Sequence, residues 1–399
     1  MQIITDKKKI EEIFNRGIIV DILPSREEFL KRLLSGERLR IYIGADPTSN
    51  ALHLSHAKNY MLLEEFRRFG HEVIILFGDF TAQIGDPSDR NDTRPQLSEK
   101  QVKENVNSWI SQIRPLMDFG TKENPPRILF NSDWLSKMTW KDELKLASNF
   151  TVQQMLERDM FEKRLRGDIP IYLHEFQYPL MQGYDSVAMD VDVELCGTDQ
   201  IFNALVGRTL LKRLKNREKF IVAVNLMENP KTGELMSKSK GTGVFLSSPP
   251  NEMYGKIMAQ PDEMIKIFLI NNTRIPLDEV DGILARGPRN AKARAAFEIV
   301  KIFYDERKAK KAEEAFNKTF REKNLPDEIQ ELKLGQEELL GDKLVQKGFV
   351  SSKNEWRRLI QEGAVRDENN TKIKDPNFIP KKTTVLKIGK RRFVKVVIA

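Results

Sequence analysis

A single cysteine, Cys196, among 399 residues excludes an internal disulfide framework and any zinc site built from several cysteines. Histidine is nearly as scarce, with only His53, His56, His71 and His174 in the chain. A histidine-based metal centre would therefore have to draw its remaining ligands from elsewhere. No run of about 18 or more apolar residues occurs, which argues against a membrane-spanning helix. The opening "MQIITDKKKIEE" lacks the charged-then-apolar pattern of a secretory signal, so a cytoplasmic location is the expectation. Internal repeats and long low-complexity tracts are missing too. What remains is a globular composition, 40% hydrophobic and 31% charged, in a chain too long for one core.

The net charge of +8 is unevenly placed. Residues 333–399 hold 16 Lys and Arg against 8 Asp and Glu, so the whole surplus sits there and the first 332 residues are balanced. A basic segment on a neutral body suits a tail that tracks phosphates, although a solvated, solubilising face has the same composition.

Hydrophobic patterning divides the chain further. "LRIYIGAD", from Leu39 to Asp46, reads as a buried parallel strand, "LHLSHAKNYMLLEEFRRFG" as a helix stopping at Gly70, and "HEVIILFGDF" as a second buried strand. With "RILF" and "FIVAVNLM" as further strands, the body is an α/β unit with a parallel sheet. Beyond "SSPPNEMYGK" helical periodicity takes over, and "REKNLPDEI" has the composition of a linker. Near the end, Ser352 and Glu355 in "SSKNEWRRLIQEG" have capping-box spacing. They predict a helix that presents Lys353, Arg357 and Arg358. "AVRDENNTKIKDP" and "TTVLKIGKRRFVKVVI" read as two hairpins, the second turning at Gly389.

Two short motifs carry chemistry. In "GADPTSNALHLSH", His53 and His56 lie one turn apart at a predicted helix start. A metal pair there lacks a suitably spaced third ligand, whereas imidazole donors beside unpaired backbone N–H groups suit phosphate oxygens. Alone this is a weak signal, since surface histidines have the same spacing. "GELMSKSKG", Gly233 to Gly241, is glycine-flanked and offers Ser237, Lys238, Ser239 and Lys240, as a loop closing over a triphosphate would. Together the two are specific.

At this point the chain resembles the class I aminoacyl-tRNA synthetases, whose signatures HIGH and KMSKS correspond to "HLSH" and "LMSKS". Within them it resembles the bacterial tyrosyl enzymes, through "YIGADPT", "TAQIGDPS", "FNSDW", "YPLMQGYD", "CGTDQ" and the basic C-terminal segment. The resemblance implies a Rossmann-like parallel-sheet catalytic domain over 1–248, an α-helical domain and linker over 249–332, and a small basic α+β RNA-binding domain over 333–399.

It also implies site residues. Tyr42 and Asp185 resemble the partners of a tyrosine phenol, and Tyr178, Gln182 and Asp86 the clamp for its ammonium group. Tyr178, Gln182 and Asp185 are spaced four and three apart, so one helix can present all three. Gly44, Asp46, Gly197 and Asp199 fall in the ATP site, and Gln200 beside the reacting carboxylate. Thr48, His53, His56, Lys238 and Ser239 would stabilise phosphate charge, and Arg90 and Arg94 would contact pyrophosphate. ATP is implied as a substrate, with Mg²⁺ carried on it and no fixed protein metal site. Lys353, Arg357, Arg358, Lys390, Arg391 and Arg392 would face transfer RNA, and the family implies a homodimer.

Four positions depart from the family pattern. Ser55 replaces a glycine where adenine would pack, Leu235 the first lysine of KMSKS, Cys196 a glycine, and Glu194 a glutamine found in one branch. The alternatives are a tryptophanyl-tRNA synthetase, a non-catalytic RNA-binding relative and a nucleotidyl-transferring ligase.

Overall fold

The computed structural model describes residues 2–86, 97–236, 242–321, 329–335, 338–367, 371–380, 383–389 and 392–398. Two compact units divide the chain, Met1–Ala309 and Lys310–Ala399.

Six strands form the sheet of the first unit: β1 (Ile19–Leu23), β2 (Arg40–Ala45), β3 (Glu72–Phe77), β4 (Arg127–Phe130), β5 (Val193–Gly197) and β6 (Phe220–Val224). Their order is β1-β6-β5-β2-β3-β4. Every pairing is parallel except that of edge strand β1, which runs antiparallel to β6 and so departs from the all-parallel reading. Strands β2, β3, β4 and β6 lie in the four stretches expected to form them. The other two escape hydrophobic patterning because each carries an acid, Asp21 in β1 and the buried Glu194 in β5. From β2 the chain moves outward to β3, and it later returns to β5 on the other side. The order therefore reverses at β2, and a crevice is expected at the carboxyl ends of β2 and β5.

The helix Leu54–Arg68 crosses from β2 to β3. Gly70 ends its exit turn at φ +96°, and a Cβ there would come within 2.9 Å of the Gln2 carbonyl oxygen, so only glycine fits. Two further helices, Leu173–Met189 and Ile201–Lys215, cross at bare backbone. A Cβ on Gly183 would meet Val206 Cγ1 at 2.9 Å and the backbone nitrogen of Gly207 at 3.1 Å.

The helices Pro250–Met258, Ile265–Asn272, Leu277–Leu284 and Pro288–Phe303 belong to the same compact unit as the sheet. One tie is Arg16, whose guanidinium donates to the carbonyls of Ile270, Ile275 and Thr273. Among the described residues no helix is long and apolar enough to cross a membrane.

In the second unit, β7 (Glu331–Leu334), β8 (Val365–Asp367), β9 (Thr384–Ile388) and β10 (Arg392–Ile398) form a sheet of order β7-β10-β9-β8. The helices Leu340–Gln346 and Lys353–Gln361 complete one core around Trp356, Leu344, Leu386 and Val394. The β9–β10 hairpin turns at Gly389, φ +67°, as expected. Among the described residues the first expected hairpin is represented by β8 and one bridge, Arg366 to Lys372. Strand β7, parallel to β10, had no counterpart in the sequence reading, and residue 333 falls inside it.

The capping box at Ser352 is also only half formed. Ser352 Oγ accepts from the Glu355 backbone N–H, but the Glu355 carboxylate turns to the backbone and hydroxyl of Ser351 and to Arg392. Those donors hold its carboxyl down at about 2.

Candidate active site

A cavity of about 310 Å³ opens where β2 and β5 end. It is lined by Tyr42, Gly44 and Asp46 from β2 and its exit, and by Glu194, Cys196 and Gly197 from β5. The helix Leu173–Met189 adds Tyr178, Gln182 and Asp185, so one helix does present all three. Thr48, His56, Asp86 and Gln200 complete the set of expected residues on its wall.

Tyr42 and Asp185, both on the cavity wall, are 1% and 3% exposed. Both Asp185 oxygens are engaged: Trp134 Nε1 donates to one at 2.8 Å and Asn131 Nδ2 to the other at 3.4 Å. Burial raises the Asp185 carboxyl well above the usual carboxylate range, against the pull of those two donors. Tyr42 Oη lies 2.9 Å from Ser186 Oγ.

A polar web forms the next part of the wall. Tyr178 Oη donates to Asp46 at 2.9 Å, and Thr81 Oγ1 donates to the other Asp46 oxygen at 2.7 Å. Asp46, expected beside the nucleotide, thus shares a hydrogen bond with a residue expected at the ammonium. Gln200 Nε2 donates to Asp86 at 2.9 Å, and Asn203 Nδ2 donates to both Gln182 and Gln200. Four carboxylates, Asp46, Asp86, Asp185 and Glu194, line one small cavity. Asp86 lies 3.5 Å from Arg158 and Glu194 pairs with Lys219, so the surplus of negative charge is smaller than the four groups suggest.

A Cβ on Gly44 would make only ordinary contacts, 3.7 Å from Tyr42. On Gly78 it would fall 2.0 Å from Asp46 Oδ1, and on Gly197 2.3 Å from Asp199 Oδ1. The protein's own packing therefore requires glycine at 78 and 197, where a side chain would displace the Asp46 or the Asp199 carboxylate.

His53 caps the helix Leu54–Arg68 and His56 occupies its first turn, with the rings 4.1 Å apart. The His53 backbone N–H donates to His56 Nδ1 at 3.2 Å, so neutral His56 carries its proton on Nε2 and is a donor there. Burial pulls His53 down to about 4 and His56 to about 3, the second also opposed by its neighbour's charge. Both are neutral near pH 7.

Because these folded values lie below the ordinary 6.5, the stability that the neutral rings support is complete above pH 6.5 and is lost as pH falls toward 3. The melting temperature is expected to drop progressively between pH 6.5 and 4, and less steeply in His56→Asn. Equal slopes in both proteins would contradict this assignment.

Lys58, on the same helix, was not anticipated. It is 1% exposed, donates to Asn59 Oδ1 at 2.7 Å, and is pulled down to about 7 by burial against the opposing charge of Asp199. Also missed were Asn131, Trp134 and Thr81, although "FNSDW" and "TAQIGDPS" had been singled out. Lys219 was missed as well, and its setting in "KNREKF" gives no hint of burial.

Arg90, Arg94, Lys238, Ser239, Lys390 and Arg391 lie outside the described residues. In the second unit Arg357 is exposed, Lys353 pairs with Asp342 at 2.8 Å, and Arg358 lies 3.8 Å from Glu362. Arg392 donates to the Phe349 carbonyl and to Glu355.

An α/β crevice with this polar wall defines a class, and residues 34–321 match the family described as tRNA synthetases class I (W and Y). The chain belongs to that family. Its sequence is 42% identical to the tyrosine–tRNA ligase of Carboxydothermus hydrogenoformans, over 99% of each chain. It is 41% identical to that of Thermotoga maritima over 95% of each. Among solved structures, a C-terminally truncated mitochondrial tyrosyl-tRNA synthetase from Aspergillus nidulans superposes with a TM-score of 0.67. It covers 78% of this chain and 94% of its own at 22% identity, and so supports the fold.

Proposed function

We propose that this cavity binds tyrosine beside ATP and that the chain is a tyrosine–tRNA ligase. One observation carries the reading: a buried Asp185, each oxygen already fixed by an N–H donor, lines the cavity together with Tyr42. A phenol is both donor and acceptor and satisfies such a pair. The Asp46, Tyr178, Gln182 and Asp86 web supplies negative charge and acceptors for the ammonium group.

In the first step a tyrosine carboxylate oxygen attacks the α-phosphorus of ATP, and the bond to pyrophosphate breaks. The carboxylate is already ionised near neutral pH, so no general base is required. The protein's contribution is position and charge stabilisation. Neutral His56 offers Nε2–H, and Thr48 a hydroxyl, on the wall near Gly44 and Gly197. Lys238, Ser239, Arg90 and Arg94 are assigned to the phosphates through the family pattern. Magnesium would travel on ATP as part of the substrate. Removing one of these donors is expected to lower kcat more than it raises KM.

In the second step a ribose hydroxyl of the terminal adenosine of transfer RNA attacks the tyrosyl carbonyl, and AMP leaves. The basic second unit would hold the RNA by phosphate and shape contacts. Tyrosine-dependent exchange of labelled pyrophosphate into ATP, run over all twenty amino acids, tests the assignment. Exchange is expected with tyrosine, and exchange driven instead by tryptophan would replace the reading.

The proposal includes a cytoplasmic homodimer. Trp140, Leu144, Val152, Leu165, Tyr172 and Leu173 expose apolar side chains within one stretch of chain, with Leu173 83% exposed. Leu173→Asp is expected to shift the mass in light scattering from dimer to monomer. An unchanged mass would remove this stretch from the interface.

A further inference from the structure

Beneath Tyr42 runs a buried chain of polar groups that the two-step reaction does not use. Lys219 immediately precedes β6, and its side chain is 0% exposed. Its ammonium group pairs with Glu194 of β5, itself only 3% exposed, and donates to Ser186 Oγ at 2.9 Å. Ser186 is fully buried, and its oxygen lies 2.9 Å from Tyr42 Oη. The ammonium also lies 6.0 Å from the centre of the Tyr42 ring.

Donor counting gives this chain a direction. An ammonium group can only donate, so Ser186 Oγ accepts from it. The single Ser186 proton then has Tyr42 Oη as its acceptor. The reverse arrangement, with Tyr42 donating to Ser186, would leave a buried hydroxyl proton with no acceptor, which folded proteins avoid. The other acceptor within reach of the Tyr42 hydroxyl is the Glu194 carboxylate, and its two oxygens are already engaged by Gln182 and Lys219, which leaves the Tyr42 proton to the cavity that Tyr42 lines.

The place for the ammonium is built into the packing. A Cβ on Gly207 would fall 2.7 Å from Lys219 Nζ and 2.9 Å from Ser186 Oγ, so the helix Ile201–Lys215 carries no side chain at that point. A buried ion pair is a poor source of stability, because desolvation offsets its attraction. Its presence under a substrate pocket points to orientation instead.

We infer that Lys219, with Glu194 and Ser186, is a positioning relay that fixes Tyr42 as a hydrogen-bond donor to the substrate phenol. This inference rests on the tyrosine reading of the cavity and deepens it. With Tyr42 donating, the phenol oxygen accepts, and the phenol's own proton goes to an Asp185 oxygen. The site then selects a group that donates and accepts at one atom. Phenylalanine offers neither function, and an O-methylated tyrosine has no proton for Asp185. Glu194 extends the relay further, since it also accepts from Gln182 Nε2 at 3.3 Å.

The test uses the full chain and compares tyrosine-driven with phenylalanine-driven pyrophosphate exchange. One variant is Ser186→Ala, which removes the middle hydroxyl and leaves the ion pair whole. A second is the double variant Lys219→Met with Glu194→Gln, which removes both charges together and leaves no lone buried ion. In Ser186→Ala, kcat/KM for tyrosine is expected to fall about tenfold while that for phenylalanine stays within about twofold, a change of one hydrogen bond's worth in the ratio. In the double variant, which also removes the charge that Gln182 faces, both are expected to fall while the ratio of tyrosine to phenylalanine still drops about tenfold. A merely structural role would lower both amino acids alike. Parallel losses, or an unchanged ratio in Ser186→Ala, would overturn the relay while leaving the tyrosine reading intact. A wild-type chain without tyrosine-dependent exchange would overturn both.

Discussion

Asp185→Ala is expected to lower kcat/KM for tyrosine in pyrophosphate exchange by roughly 10²–10³-fold, from a lost hydrogen bond and a phenol hydroxyl buried without an acceptor. Each of those losses costs about 1–3 kcal/mol. Phenylalanine makes neither contact, so its activity is expected to change little and the preference for tyrosine to narrow by a similar factor. Sites that recognise a hydroxyl reject the analogue lacking it far better than sites that measure a methylene, and tyrosyl enzymes are the standard example of that rule. Trp134 and Asn131, left without their acceptor, would lower stability rather than turnover, since they are orphaned in the free protein too. Melting and exchange measured on the same variant separate the two effects. A variant that still strongly rejects phenylalanine would remove Asp185 from the phenol site.

Truncation after Arg321 is expected to leave tyrosine-dependent exchange within about twofold, because every described residue on the cavity wall lies before residue 201. Charging of transfer RNA should fall on the order of 10²-fold or more, with the loss of a domain's worth of phosphate contacts. The cut belongs at Arg321, ahead of β7. Strand β7, Glu331–Leu334, pairs with β10 in the small sheet, and a cut behind it would strand an unpaired strand on the shortened chain. Charging by the full chain should also weaken steeply with added salt while exchange does not. Intact charging by the truncated chain would show that the basic unit has another role.

Patterns that depend on burial alone were legible in the sequence. The apolar runs 40–45, 72–77 and 220–224 gave strands, and the three-and-four spacing of Tyr178, Gln182 and Asp185 gave one helical face. What escaped was set by tertiary pairing. Glu194 breaks the apolar run of β5, and only the approach of Lys219 makes its burial tolerable. Glu355 has capping-box spacing, yet Arg392, 37 residues away, and Ser351 draw its carboxylate aside. Gly78 and Gly197 are the positions where neighbouring Asp46 and Asp199 oxygens exclude a Cβ. Lys58 and Lys219 look like surface lysines in one dimension, because nothing local tells which charged residue will be covered.

The most direct measurement is a crystal structure of the full chain with tyrosine bound. The phenol oxygen is expected within about 2.6–3.2 Å of both Tyr42 Oη and an Asp185 carboxylate oxygen, and the ammonium group among Tyr178, Gln182 and Asp86. A ring seated away from Tyr42 and Asp185 would contradict the tyrosine reading of the cavity.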